Sequence, residues 1–395
     1  MSNYPKVVNY CMELVKTPSL SGSEGDVAKL IKEFLSAEGI DEVFIDDVGN
    51  VIGVLRGRDD FTVVFEGHMD HVPPGNLNLW KYPPYEAKII EGVIVGRGTV
   101  DMKGAIASMI ASVSYVSKLK DLPTTYYIFV PHEEIAEGIA FKYAIEETLK
   151  TRPNLVILGE ATNLNLSIGQ RGRAVVEVKL LGRSSHASMP SEGINALVAT
   201  AWLVGKVVEL SKKLPKHELL GKSTIAPTVI ECSPKTPPMI PDKCRLVIDR
   251  RFILGEDEDS IVSEIRCLTD QLVKKGLAIE AHVGIIDEEL TTWTGHKLLA
   301  HHYFPAWLTE LKGYVLKVKE ALLEVIKEAK VITWRFSTDG VYSAGIVNIP
   351  TVGIGPGDES LAHKPNENVP IKHLEKCVKV YFNIMKSLGG FISKN

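Results

Sequence analysis

The feature that most constrains the fold is a change of pattern near Gly169, which interrupts an alternation of strands and helices that later resumes. Before it, short β-rich runs at Thr62–Phe65, Tyr126–Val130 and Leu155–Leu158 alternate with helical patterns, as in a mostly parallel sheet. From Arg173 the order becomes strand, helix, strand, strand, helix, strand (βαββαβ), which is the ferredoxin-like module. The remaining residues return to helix and strand, so they could complete the first sheet.

The length agrees with a chain divided into more than one domain. Its 395 residues exceed the roughly 250–300 residues at which a single hydrophobic core stops growing. We therefore predict an α/β domain made of residues 1–172 and 291–395, with a separate ferredoxin-like domain inserted at residues 173–290.

Near the N-terminus, the run from Ser21 to Glu24 has the form of a helix capping box. Val27, Ile31 and Leu35 follow it at helical spacing. The pattern predicts that a helix follows this run and ends near Gly39.

Composition excludes several classes of function. The chain has 45 Lys and Arg against 49 Asp and Glu, a net charge of −4, and so lacks the basic excess of most nucleic-acid-binding proteins. No segment approaches the roughly 20 apolar residues of a membrane span. The first residues contain no uninterrupted apolar run, so we expect no secretory signal.

The cysteines are few and irregularly placed. There are five, an odd number, and none forms a Cys-x-x-Cys pair, so they fit neither a disulfide framework nor a zinc–thiolate site. This usage is typical of a reducing compartment, and we predict a cytoplasmic protein.

Acidic and histidine residues cluster directly after predicted strands. They are His68 and Asp70 after TVVFEG, Glu133 and Glu134 after YYIFVPH, Glu160 after LVILG, Asp101 before the helix that starts MKGAIAS, and His363 in the glycine-rich run GIGPGDESLAHKP. In an open parallel sheet, groups beyond the carboxyl ends of the strands meet at one edge, where ligands bind. Residues far apart in sequence can therefore form one site.

Such a set suits a metal-dependent hydrolase. Histidine and carboxylate ligands without cysteine fit Zn²⁺, Mn²⁺ or Co²⁺, and a carboxylate shared between two ions makes a two-metal hydrolytic centre. Asp70 can accept the second ring N–H of His68. Of the adjacent glutamates, Glu134 can bind metal while Glu133 stays free as a base. Alone, a His-x-Asp or Glu-Glu pair is more often a surface or turn feature; the joint pattern favours the metal site.

These motifs resemble a known family. The runs GHMDHVPPG, GRGTVDMKGAIAS, PHEEIAEG, LGEAT, GRSSHASMPSEGINA, DRRFILGE and GPGDESLAHKPNENV resemble, in order and over nearly the whole chain, the acetylornithine deacetylase / succinyl-diaminopimelate desuccinylase / carboxypeptidase family of metallopeptidases. The runs IGQRGRA, STDGVYSAGI and GPGDESLAH are most similar to its selenium-metabolism-linked hydrolase branch.

The resemblance implies a zinc-peptidase catalytic domain with an inserted lid and dimerisation domain, and two Zn²⁺ per chain, which Co²⁺ or Mn²⁺ can replace. Asp101 would bridge the two ions. His68 and Glu160 would complete one ion's ligands, and Glu134 and His363 the other's. The family also has a cis peptide after the bridging aspartate, here Asp101–Met102.

The resemblance assigns roles to further residues. Glu133 would take a proton from a metal-bridging water and return it to the leaving nitrogen. His186, in the run SSHAS, would stabilise the oxyanion, often from the partner subunit of a homodimer formed through the lid. Arg251 would bind the substrate's free carboxylate through its bidentate fork. The neighbouring Arg250 stays an alternative, because a shift of one residue reverses the face of a strand.

The leading functional hypothesis is a deacylase that cleaves the amide bond of N-acyl amino acids. A dipeptidase or carboxypeptidase acting on short peptides is the main alternative, since both use the same metal centre. A metal-binding but inactive homologue is a third reading, which the presence of Glu133 disfavours. Many deacylases have Asn where this chain has Pro238, so neither the acyl group nor the amino-acid specificity follows from the sequence.

Overall fold

The computed structural model describes residues 4–392. The helices are α1 (Lys6–Lys16), α2 (Gly25–Ala37), α3 (Gly104–Val116), α4 (Ile139–Tyr143), α5 (Ala196–Leu210), α6 (Glu258–Lys274), α7 (Gly313–Val325) and α8 (Ile371–Ile392). The strands are β1 (Glu42–Ile45), β2 (Val51–Leu55), β3 (Arg58–His68), β4 (Lys88–Ile90), β5 (Val93–Val95), β6 (Pro123–Val130), β7 (Leu155–Leu158), β8 (Leu166–Gln170), β9 (Gly172–Leu181), β10 (Lys216–His217), β11 (Gly221–Lys222), β12 (Thr224–Ser233), β13 (Lys243–Phe252), β14 (Glu280–Ile285), β15 (Asp287–Thr291), β16 (Lys297–His301), β17 (Tyr303–Phe304), β18 (Trp307–Leu308), β19 (Val331–Trp334), β20 (Thr351–Gly353) and β21 (Asn368–Pro370).

The larger sheet has the strand order β1-β2-β6-β3-β7-β20-β8-β18, with β19 also beside β8. Its central strands β6, β3, β7 and β20 pair in parallel. Both faces are covered, which is why these strands are continuous apolar runs rather than alternating ones. Phe65 points into the core beneath α1, α3 and α8, whereas Val64 points into the core beneath α4. The structure confirms the predicted α/β fold.

The smaller sheet belongs to the inserted domain, which we call the lid. Its strands run in the order β12-β13-β9-β14, with β17 also beside β9, and all pairings are antiparallel. Alternate residues of β9, from Ala174 to Leu180, pack into the lid core with residues of α5 and α6. The order β9-α5-β12-β13-α6-β14 is the predicted βαββαβ module. The exact boundaries at residues 172 and 290 stay a prediction.

The chain crosses between the two sheets at two neighbouring points. Strand β8 leads into β9 and strand β17 leads into β18, and these segments pair side by side. A Cβ atom on Gly172 would lie 2.7 Å from the backbone nitrogen of Ala306, so the two crossings approach as closely as glycine permits. The lid is thus joined to the larger domain by a double strand.

The hairpin β15–β16 forms a third connection, which the sequence pattern did not reveal. At its tip, Trp293 Nε1 donates to the carbonyl oxygen of Gly49 over 3.2 Å. Thr294 Oγ1 donates to the carbonyl oxygen of Asp47 over 2.7 Å. The hairpin therefore extends from the lid to the N-terminal part of the larger domain.

The structure corrects the interpretation of the cysteines. Cys232 and Cys244 lie directly opposite each other on β12 and β13, with their Cα atoms 4.1 Å apart, and form a disulfide. Cysteine count and spacing could not reveal this pair, because strand register brings it together. A disulfide removes the support that cysteine usage gave to a reducing compartment, and the cytoplasmic location stays a prediction.

The expected capping box is also wrong, although the predicted helix is present as α2. The hydroxyl of Ser21 donates to the carboxylate of Asp70 over 2.6 Å instead of capping the helix. The carboxylate of Glu24 accepts the backbone N–H groups of Gly22 and His132. Both side chains therefore connect the start of α2 to the loops at the sheet edge.

Among residues 4–392, no helix combines the length and apolar character that spanning a bilayer requires.

Candidate metal centre and active site

The residues that the sequence pattern selected converge at one edge of the larger sheet. We call this edge, formed by His68, Asp101, Glu133, Glu134, Glu160 and His363, the metal edge. His68 ends β3, Glu133 and Glu134 follow β6, and Glu160 follows β7. Asp101 lies in the turn before α3, and its peptide bond to Met102 is cis, as the resemblance implies. His363 follows β20. This is the edge at which the carboxyl ends of the parallel strands meet.

Asp101 lies between two groups of possible ligands. One of its carboxylate oxygens is 2.8 Å from His68 Nε2, which is itself 3.3 Å from Glu160. Its other oxygen is 3.0 Å from His363 Nε2, which lies 3.0 Å from Glu134. The two oxygens of one carboxylate thus face two separate sets of donors, as a bridging ligand requires.

The site concentrates negative charge away from water. Burial raises the pKa of Glu134 to about 7, and the Asp101 charge adds to the shift. Burial also raises the pKa of Glu133 well above its ordinary value, opposed by His68 and reinforced by Glu160. Although burial disfavours a charged imidazole, the surrounding carboxylates, chiefly Glu133, raise the pKa of His68. Imidazole and carboxylate donors in this arrangement fit divalent cations, which would neutralise the excess negative charge.

Asp70 organises the loop that carries the two glutamates. Its carboxylate accepts the backbone N–H groups of Glu133 and Glu134, each over 3.2 Å. It lies 3.5 Å from His68 Nδ1, whereas the backbone carbonyl oxygen of Asp70 lies at 3.0 Å. The carbonyl is therefore the closer acceptor for the ring, and the carboxylate also fixes the backbone beside the metal edge.

On the lid side, the two neighbouring arginines point in opposite directions. Arg251 lines a cleft of about 350 Å³ together with Glu133, Asp101 and other residues of the metal edge. The side chain of Arg250 is fully buried and pairs with Glu256. Strand parity accounts for the difference, because alternate residues of β13 face the lid helices.

Arg173 is a residue of this cleft that the sequence interpretation did not select. It lies directly opposite Arg251 on the neighbouring strand. Its guanidinium pairs with Glu137 at 3.1 Å, three residues after Glu134, and with Asp249 at 3.4 Å. Asp249 also receives two hydrogen bonds from Arg251. The run IGQRGRA contained the signal, since its last arginine starts the first lid strand.

His186 does not join the metal edge within this chain. It is exposed on the lid and is absent from the residues that line the cleft. Its backbone forms a bridge with Met239, next to Pro238, whose carbonyl oxygen accepts the Ala187 N–H over 2.8 Å. The proline-rich hairpin therefore supports the His186 loop.

Comparison with known proteins agrees with the fold and gives the family. Residues 64–387 match the model of peptidase family M20/M25/M40, and the chain belongs to this family. It is 34% identical to the uncharacterized protein YgeY of Escherichia coli (strain K12) over 380 residues, 95% of this chain and 92% of that protein. It is 28% identical to succinyl-diaminopimelate desuccinylase 2 of Shewanella loihica, over 67% of this chain and 73% of that protein.

Among solved structures, aminopeptidase PepT from Bacillus cereus superposes with a TM-score of 0.73 at 22% identity, covering 97% of this chain and 98% of that one. This likeness confirms the fold. Family membership and the hydrolase relatives together show a metal-dependent hydrolase that acts on amide bonds.

Proposed function

We propose that this protein is a deacylase that hydrolyses the amide bond of N-acyl amino acids with a free carboxylate. The observation that carries the proposal is the position of Arg251, on the wall of the cleft that also contains Glu133 and Asp101. A guanidinium binds a carboxylate with two parallel hydrogen bonds. A substrate held in this way would present its amide to the metal edge.

We further propose two ions per chain, with Zn²⁺ as the natural metal and Co²⁺ or Mn²⁺ as substitutes. His68 and Glu160 would hold one ion, Glu134 and His363 the other, and Asp101 both. Bound divalent ions would lower the pKa of a water molecule and polarise the amide carbonyl.

Glu133 would move the proton. The residue is nearly buried, 7% exposed, and its backbone is held by Asp70. Burial raises its pKa well above the ordinary value, which suits a group that accepts a proton from water and then releases it to the leaving nitrogen. It lies 3.9 Å from His68 Nε2, within the same group of side chains as the ligands.

His186 would stabilise the oxyanion from a partner subunit. Its Nδ1 accepts the backbone N–H of Ser188 over 3.2 Å, so the ring hydrogen is assigned to Nε2, which can donate to a substrate oxygen. Its exposed position outside the cleft is the support for action across a homodimer. The lid also has a free edge strand, β12, on which Val229 and Ile230 are exposed, a surface suited to pairing with a second copy.

The proposal is tested by incubating the zinc-loaded protein with paired compounds: N-acyl amino acids, the same compounds with the carboxylate converted to an amide, and dipeptides. Released amines are measured by mass spectrometry with and without a chelator. Chelator-sensitive cleavage that prefers free-carboxylate N-acyl compounds supports the deacylase. Preference for dipeptides would replace it with a peptidase, and no cleavage in any arm would favour an inactive homologue. Cell fractionation tests the predicted cytoplasmic location.

A further inference from the structure

A second buried glutamate lies behind the metal edge. Glu367 follows His363 by four residues, has no solvent exposure, and belongs to none of the ligand groups described above. One of its carboxylate oxygens accepts the backbone N–H of Val100 over 2.8 Å and that of Asp101 over 3.2 Å. Glu367 thus holds the main chain that carries the bridging aspartate.

The other carboxylate oxygen of Glu367 accepts a hydrogen bond from Nη1 of Arg97. Arg97 precedes Asp101 by four residues and is also almost fully buried, 1% exposed. Its second terminal nitrogen donates to the carbonyl oxygen of Pro73 over 3.4 Å, and its guanidinium lies 5.4 Å from the Trp80 ring centroid. The arginine is therefore held on several sides and presents a fixed charge to the glutamate.

The main chain reinforces this contact. The Gly96 N–H donates to the carbonyl oxygen of Glu367 over 2.9 Å, and β21, which starts at Asn368, pairs with β5. The segment before Asp101 and the segment after His363 are separated by more than 260 residues, yet they are joined here by backbone and side-chain bonds. These are the two loops whose ligands must meet at one point.

We propose that Arg97 and Glu367 form a clamp that sets the relative positions of Asp101 and His363. The clamp thereby sets the affinity for the metal ion assigned to Asp101, Glu134 and His363. Glu367 is a positioning residue, since it acts through the backbone of Asp101. The inference rests on the metal centre of the proposed function and does not depend on which amide the enzyme cleaves. Residues behind metal ligands commonly change metal affinity about 10- to 100-fold when replaced.

The test is a chelator-buffered Zn²⁺ titration of the metal-free protein, comparing wild type with Glu367→Gln. The ion assigned to Glu134, His363 and Asp101 should bind about 10- to 100-fold more weakly. The ion assigned to His68, Glu160 and Asp101 should be weakened by a smaller factor, because Asp101 is the one ligand of that set whose main chain the clamp holds. Arg97→Lys, which keeps the charge but loses the planar fork, is the second variant, used if Glu367→Gln does not fold.

Glu256→Gln in the lid is the matched control. Glu256 also pairs with a fully buried arginine, Arg250, and accepts a backbone N–H, that of Ile253, over 3.0 Å. This variant should lower the melting temperature without changing either zinc constant. The clamp is wrong if the folded variant at position 367 or 97 keeps wild-type zinc constants, or if Glu256→Gln weakens zinc binding as much.

The two proposals can fail separately, because zinc binding is measured without substrate. A wild type that binds two ions and cleaves no amide would remove the deacylase and leave the clamp to be judged by its own variants. If the wild type binds a single ion, the two-ion assignment fails. The clamp is then judged on that ion, since Asp101 belongs to both proposed ligand sets.

Discussion

Two sets of residues line the same cleft: the metal edge, and the lid residues Arg173 and Arg251, which we call the lid wall. They are built differently. At the metal edge the side chains are mostly buried, and a second residue holds the main chain behind them: Asp70 behind Glu133 and Glu367 behind Asp101. On the lid wall, Arg251 stays 26% exposed and is paired with Asp249 two residues away on its own strand. Side chains that take part in the chemistry need fixed positions. A side chain that recognises the substrate can be less buried, and its identity can differ between enzymes with different substrates.

The largest effect should come from Glu133→Gln, which tests the chemical role of the metal edge. The amide cannot accept a proton, so we expect kcat to fall about 10²- to 10⁴-fold. Zinc stoichiometry should not change, because Glu133 is not among the proposed ligands. The rate is measured by amine release and the metal content by elemental analysis. A variant that keeps a tenth of the activity would remove Glu133 from the mechanism.

The next effect tests whether the lid of one subunit completes the active site of another. Loss of the oxyanion donor in His186→Ala should lower kcat about 10²- to 10³-fold with little change in KM. Co-expression of His186→Ala with Glu133→Gln then discriminates between the two arrangements. If His186 acts across the dimer, mixed dimers contain one intact site and regain activity. If mixed dimers stay inactive, His186 acts in its own chain, whereas a His186→Ala variant that is itself fully active would show that His186 has no catalytic role.

A smaller effect should follow from Arg251→Met, which tests recognition by the lid wall. Loss of a charged hydrogen bond to the substrate should reduce kcat/KM about 10- to 100-fold for free-carboxylate substrates. Analogues whose carboxylate is converted to an amide should be affected little. Arg245→Met is the matched control, since Arg245 lies on the same face of β13 and pairs with Glu177 outside the cleft. Equal losses for both kinds of substrate would show a structural effect.

The smallest effect concerns the stability of the metal-free protein and depends on two side chains of the metal edge. Burial raises the pKa of Glu134 to about 7, and hydrogen bonds to Asp101 and Glu134 raise that of His363 to about 10. Groups with a raised pKa stabilise the folded state below their unfolded pKa and lose this contribution as the pH rises through the folded value. The melting temperature of the metal-free protein should therefore fall between pH 5 and 8, and solvent screening of the half-exposed His363 keeps the change small.

Scanning calorimetry in the presence of a chelator measures this trend. Zinc should reduce it, because bound ions would replace protons as the partners of the carboxylates. A metal-free melting temperature that rises over the same pH range would contradict the assigned pKa directions.

Much of the fold could be predicted because local patterns carried it. The buried part of β3 from Phe61 onward, the buried strand β7 and the βαββαβ order of the lid were visible as apolar runs and helical periodicity. The hairpin β15–β16 was missed because its strands are short and largely exposed. The Cys232–Cys244 pair was missed because the register of β12 against β13 is a tertiary property.

The sequence by itself determined which residue types meet at the metal edge, since histidine and carboxylates placed after parallel strands must converge there. The tertiary structure decided the direction in which each side chain points and the groups that it contacts. It turned Arg251 toward the cleft and Arg250 into the lid, directed the Asp70 carboxylate to the backbone of Glu133 and Glu134, and brought Glu367 behind Asp101. These contacts depend on which face each strand residue takes once the strand is paired, and on packing between segments far apart in the chain. No local pattern specifies either of them.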